Sequence, residues 1–285
     1  MTDQTLDEAL TLTEDGEGGL LAPMTGAFSN APRMMPAERG SPFGGLMAAL
    51  AARAARETLG ISAPLRTVAT QFHIGAKFEP MTINSELLRG GRSAAYALVK
   101  AGQGDRLAMT GLVTFGAAGE GPELRAASIT PPPLADQPLT PMGGADFAPH
   151  FLQHVEQRFV GGIKLFGRND EDRMGVWMRT SDGKPLDEAR LAFLLDATFP
   201  VYWTMLPAPP AISATADLRY DFFGPVPEDA APDGWTYFEF VSRDSHGGWT
   251  VEDATAWAQD GRPLAVGRQL RKVLASRAPK APAEG

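Results

Sequence analysis

The chain contains no cysteine, only four histidines and no uninterrupted apolar run of membrane-spanning length. Without cysteine there is no disulfide framework, no thiolate-bound zinc, no iron–sulfur cluster and no cysteine nucleophile. Of the histidines, His73, His150, His154 and His246, two stand four positions apart, but they lack the intervening glutamate of a zinc-protease helix, so no metal site is expected. The longest apolar stretch, 191–206, is interrupted by Asp196 and Pro200 and falls short of the ~20 residues a bilayer span needs. Positive charge is also scarce: 26 Lys and Arg face 34 Asp and Glu, a net charge of −8. That balance argues against chain-wide attraction to nucleic acid or anionic membrane, so an anionic ligand must be held by a local patch. No G-x-S-x-G elbow, G-x-G-x-x-G turn or Walker-type phosphate loop occurs, which argues against an α/β-hydrolase and gives no sign of a nucleotide cofactor. Asp244-Ser245-His246 has the composition of a catalytic triad, but neighbours on a strand point to opposite faces. The first ten residues carry acids where a signal peptide needs bases, so a soluble cytoplasmic protein is expected.

Proline and glycine, by contrast, are plentiful and unevenly placed. Between 117 and 149 lie Pro122, Pro131, Pro132, Pro133, Pro138 and Pro141 with Gly119, Gly121, Gly143 and Gly144, and no helical or strand period. Such a stretch reads as a partly extended linker. It divides the chain into an N-terminal domain at 1–116, the linker at 117–149, a C-terminal domain at 150–278 and a disordered tail at 279–285. The two domains repeat one another. Ala69-Thr70 and Phe78-Glu79-Pro80 in the first correspond to Ala214-Thr215 and Phe223-Gly224-Pro225 in the second, 145 positions on. Each segment follows an apolar helix candidate, 45–59 or 186–200, and precedes a long hairpin, 83–115 or 235–274. Leu107-Ala108 matches Leu264-Ala265 at an offset of 157, so the second hairpin is the longer.

The first helix candidate is mostly small and apolar and must be nearly surrounded by other structure. Several strands and one enclosed helix per repeat predict an α+β fold in which a curved antiparallel sheet wraps a central helix, twice.

Phe43-Gly44-Gly45, Phe78-Glu79-Pro80, Arg89-Gly90-Gly91-Arg92-Ser93, Trp177-Met178-Arg179, Leu186-Asp187 and Leu195-Asp196-Ala197-Thr198-Phe199-Pro200, in this order and spacing, resemble the tandem-hotdog acyl-CoA thioesterases of the acyl-CoA thioesterase II type. The resemblance implies two hotdog repeats forming an internal pseudo-dimer. It also implies a hydrolytic site of Asp, Thr or Ser, and Gln from the second repeat, which positions a water for attack on a thioester. The matching residues here are Asp196, Thr215 and Gln269. The offsets place Ala51 opposite Asp196 and Leu112 opposite Gln269, leaving only Thr70 with a counterpart, so one catalytic site per chain is expected.

Read as residues, each candidate has a plainer alternative. Asp196, set in an apolar run, is a desolvated acid at a site or a cap on the turn before Pro200. Thr215 alternates with Ser213, Asp217, Arg219 and Asp221, which predicts a wet face, either a reaction site or open solvent. Gln269 orients a water or is a surface amide. Gly44 and Gly45 present backbone N–H donors to substrate or simply mark a tight helix entry. Arg268 and Arg271, with Lys272, bind the phosphates of the substrate or guard an edge strand. The expected function is hydrolysis of acyl-CoA to free acid and CoA, without metal or cofactor, by a homodimer that binds neither nucleic acid nor membrane. The competing readings are a non-catalytic acyl-CoA-binding protein and a hotdog enoyl-CoA hydratase or dehydratase.

Overall fold

The structure, a computed structural model, describes residues 4–124, 127–142, 145–207 and 213–273. A short helix α1 (Leu6–Ala9), closed by a capping box between Thr5 and Glu8, precedes the small hairpin β1 (Thr13–Glu14) and β2 (Leu20–Ala22). Next come helix α2 (Gly44–Leu59) and strands β3 (Leu65–Phe72), β4 (Met81–Gly90), β5 (Ala94–Gln103) and β6 (Arg106–Gly116). The second half supplies β7 (Val155–Phe159), β8 (Arg173–Thr180), helices α3 (Glu188–Leu194) and α4 (Tyr202–Met205), and strands β9 (Ser213–Phe222), β10 (Thr236–His246), β11 (Trp249–Trp257) and β12 (Pro263–Val273).

All twelve strands join one antiparallel sheet in the order β1-β2-β4-β5-β6-β3-β9-β12-β11-β10-β8-β7. From the centre outwards the two halves run alike. The seam is the β3–β9 pair, with Thr70 opposite Leu218 and Val68 opposite Tyr220. A repeat whose edge strand is covered by its twin leaves no open backbone edge at the centre.

Helix α2 forms where the sequence predicts it. Its small residues bury on most sides, and Gly60 closes it in the left-handed conformation at φ 62°, donating to the carbonyls of Arg56 and Glu57. Leu46, Met47 and Leu50 are sealed from solvent, each contributing on the order of 2 kcal/mol by burial. The second helix departs from expectation. The run 186–200 is helical only over Glu188–Leu194, with Asp187 as its N-cap. Leu195 closes the helix, a turn carries Asp196, and Pro200 precedes α4. Arg190 of α3 is buried and bonds Asp187, Asp7 and Asp182 through its two terminal nitrogens at 2.7, 2.7 and 2.8 Å, tying α1 to the second repeat. Arg56 of α2 reaches Glu188 of α3 at 2.7 Å.

The proline-rich segment lies against the second repeat. Trp177 Nε1 donates to the Pro132 carbonyl at 2.9 Å, and Thr140 N donates to Gln157 O at 2.8 Å. Ile129 and Leu134 pack on an aromatic cluster of Trp177, Trp235, Tyr237 and Trp257 on the outer face of the sheet. Gly143 and Gly144 of this segment, Leu274 and the tail 279–285 lie outside the described residues.

Candidate active site

Asp196, Thr215 and Gln269 come from a turn, β9 and β12, and they meet. Gln269 Nε2 donates to Asp196 Oδ1 at 2.7 Å and to Thr215 Oγ1 at 2.8 Å. A carboxylate only accepts, so the amide presents its NH2 to Asp196, and both amide hydrogens are spent on the acid and the hydroxyl. The amide oxygen and the hydroxyl hydrogen of Thr215 remain for a third molecule.

Local structure explains the convergence. Along β12 the side chains alternate, so Gln269 turns inward, 6% exposed, while Arg268 turns outward. Simple alternation fails on β9. Asp217 stands opposite Leu270 but Thr215 stands opposite Arg271, so Ala216 is an extra residue in a β-bulge. The bulge moves Thr215 from the side of Asp217 and Arg219 to the side of buried Leu218 and Tyr220, correcting the wet face that alternation predicts.

The Asp196 carboxylate is 5% exposed. Its pKa is pushed up to about 6, above all by desolvation, which the charge of Arg271 and hydrogen bonds from Gln269 and the Gly45 N–H partly offset. At neutral pH it is therefore mostly ionised but a far better proton acceptor than a surface aspartate. Arg271 Nη2 stands 3.4 Å from Asp196 Oδ1.

The Gly44-Gly45 pair is required by close approach. A Cβ on Gly44 would stand 2.8 Å from Asp196 Oδ2, and one on Gly45 would stand 2.6 Å from the Phe193 carbonyl oxygen. The start of α2 from the first repeat is thereby seated on the acid of the second. The Gly45 N–H serves Asp196, while Gly44 borders a cavity of about 210 Å³ shared with Ser41, Met47, Phe72, His73 and Thr215. A larger depression of about 710 Å³ lies beside α1, lined by Glu8, Thr11, Leu21 and Pro23, away from this chemistry.

Of the two candidate arginines, only Arg271 joins the site. Arg268 forks onto Asp253 at 2.7 and 2.9 Å on the exposed face. In the first repeat Leu112 is 54% exposed on the outer face, so it is not the counterpart of Gln269. Gly111 instead faces inward, where a Cβ would lie 3.5 Å from Thr70 and 3.6 Å from Ala51. Bulges shift the register between repeats, and a constant sequence offset does not survive them. This first-repeat position is packed shut by small residues.

Two further residues escape the sequence reading. Glu252 on β11, opposite Gln269, is buried and accepts the Val201 N–H at 2.6 Å. Tyr220 is buried beside Gly267, and its hydroxyl has no hydrogen-bond partner among the described residues. Glu252 shares strand parity with buried Ala254 and Ala256, a carboxylate in an apolar series, which is a signal visible in the sequence.

Two half-sheets wrapped on helices, with an acid, an amide and a hydroxyl of the second repeat meeting beside the start of the first repeat's helix, define a double-hotdog protein with a polar site buried near its seam. The chain belongs to the acyl-CoA thioesterase family: residues 31–116 match the acyl-CoA thioesterase N-terminal domain and residues 131–271 the acyl-CoA thioesterase C-terminal domain. Among solved structures it is similar to a conserved hot dog fold protein of unknown function from Alicyclobacillus acidocaldarius, with TM-score 0.82, 23% identity and coverage of 95% of this chain and 98% of that one. It is also similar to an acyl-CoA thioesterase II from Mycobacterium marinum, with TM-score 0.73, 18% identity and coverage of 96% and 99%. At these identities the similarity establishes the fold. No curated protein matches the sequence. Among the described residues, no helix is long and apolar enough to cross a membrane.

Proposed function

We propose that the chain hydrolyses an acyl-CoA thioester to the free acid and CoA, using a water held by Thr215, Gln269 and Asp196. The observation that carries this reading is the single amide of Gln269 joining the other two side chains. Water donates one hydrogen to the free oxygen of the Gln269 amide and accepts one from the Thr215 hydroxyl. As its oxygen attacks the thioester carbon, its second proton passes to Asp196, whose raised basicity suits the transfer. The carbonyl oxygen takes the negative charge and meets the N–H of Gly44 at the start of α2, where helix donors are unpaired. Collapse of the tetrahedral species breaks the C–S bond, and the departing thiolate recovers the proton from Asp196. Arg271 offsets the charge on the acid.

Free-thiol release from a panel of acyl-CoA esters tests the reading. Thr215→Val reduces kcat by about 10²-fold, and Asp196→Ala reduces it by at least that much. Turnover unaffected by Asp196→Ala refutes the mechanism, and tight acyl-CoA binding without turnover in the wild type establishes a binding protein instead. His73 also borders the cavity, but its Nε2 pairs with Thr110 Oγ1 at 3.0 Å, and among the described residues no hydrogen bond joins it to Asp196. The acid–histidine pairing that a hydratase would use is therefore not assembled.

A further inference from the structure

We propose that Glu252 is a positioning residue for Asp196, holding the turn that carries it through Val201 and sharing Arg271 with it; this rests on the hydrolytic reading above. Three observations converge on it. The Glu252 carboxylate accepts the backbone N–H of Val201 at 2.6 Å, five residues beyond Asp196, so it anchors the far end of the turn that sets the acid. It lies on β11 opposite Gln269, the residue that fixes the other side of Asp196. The Arg271 guanidinium reaches Asp196 Oδ1 at 3.4 Å and its charge also acts on Glu252, so one cation serves two carboxyls.

The charged and titratable groups around Glu252 are Asp196 on the turn after α3, Arg271 on β12, Asp253 on its own strand and, near the other two site charges, Tyr220 on β9. Burial pushes Glu252 up to about 7, Arg271 pulls it down, and the charges of Asp196 and Asp253 hold it up. Burial raises both acids, and Arg271 lowers both, so the protonation of each depends on the other. The two protons leave as a coupled pair. A glutamine at this position retains the carbonyl oxygen that Val201 needs and mimics the protonated acid.

The test compares Glu252→Gln with Glu252→Ala. Glu252→Ala, which strands the Val201 N–H, loses kcat about tenfold with little change in KM. Glu252→Gln restores most of that loss, and its kcat/KM profile shows one acid-side inflection where the wild type shows two. A glutamine variant as impaired as the alanine one, with an unchanged pH profile, overturns the proposal. Carbon NMR titration of the side-chain carboxyls provides a readout that needs no turnover. In Asp196→Asn the Glu252 carboxyl titrates at lower pH than in the wild type, and an unmoved midpoint again overturns the proposal. If the wild type proves inactive while this midpoint moves, the hydrolytic reading fails and the coupling of the two acids stands.

Discussion

Replacing Asp196 by asparagine preserves the shape of the side chain and removes a charge that the fold holds at a loss. The carboxyl moves from 3.8 in the unfolded reference to about 6 in the buried site, equivalent to about 3 kcal/mol against the native state at pH 8. The native state keeps the proton to higher pH than the unfolded one, so this group's favourable contribution is present below about pH 4 and is lost as pH rises through about 6. The asparagine variant escapes that loss. It gives back about 1 kcal/mol because its NH2 confronts the Gly45 N–H or Arg271 where the carboxylate accepted. The net expectation at pH 8 is a gain of about 2 kcal/mol, or roughly 5 °C in Tm, accompanied by collapse of thioester turnover. At pH 5 both chains are largely neutral at this position, and the gain shrinks below about 1 kcal/mol. Urea unfolding of both proteins at the two pH values measures the difference directly. An asparagine variant less stable at pH 8, or one whose advantage is equal at both, refutes the account of a desolvated base.

Two other substitutions probe the surroundings. Gly45→Ala drives a methyl to within 2.6 Å of the Phe193 carbonyl, and a loss of about 2 kcal/mol or more in unfolding free energy, together with weakened turnover, is expected. The outer face of β4–β6 exposes Leu88, Tyr96 and Leu112, a surface suited to pairing two chains. Leu112→Glu is expected to convert a homodimer to monomer in light scattering without lowering thermal stability by more than about 1 kcal/mol, and a wild-type monomer would dispose of this surface as the dimer contact.

Much of the architecture is legible in the residues because it rests on local signals. The small-residue run ending at Gly60 specifies α2, and the echo of Ala69-Thr70 in Ala214-Thr215 exposes the repeat. Asp196 stands out as a lone acid in an apolar run, and burial bears out its isolation from water. What sequence periodicity misses depends on single inserted residues. The bulge at Ala216 turns Thr215 to the other face, and unequal bulges misalign Leu112 with Gln269. The length of α3 is set by the turn that presents Asp196, a tertiary demand that the apolar pattern of 186–200 conceals. The fates of the arginines follow from strand parity together with a partner on the next strand: Arg268 meets Asp253, and Arg271 meets the buried acid.

The crossing of the proline-rich segment over the aromatic patch of the second repeat adds to the differences between the two repeats. Ile129 and Leu134 already occupy the face around Trp177 and Tyr237, whereas the first repeat leaves Leu88, Tyr96 and Leu112 bare. Molecules joined through one such face must match like with like, and such assemblies close on themselves at two subunits instead of growing into filaments.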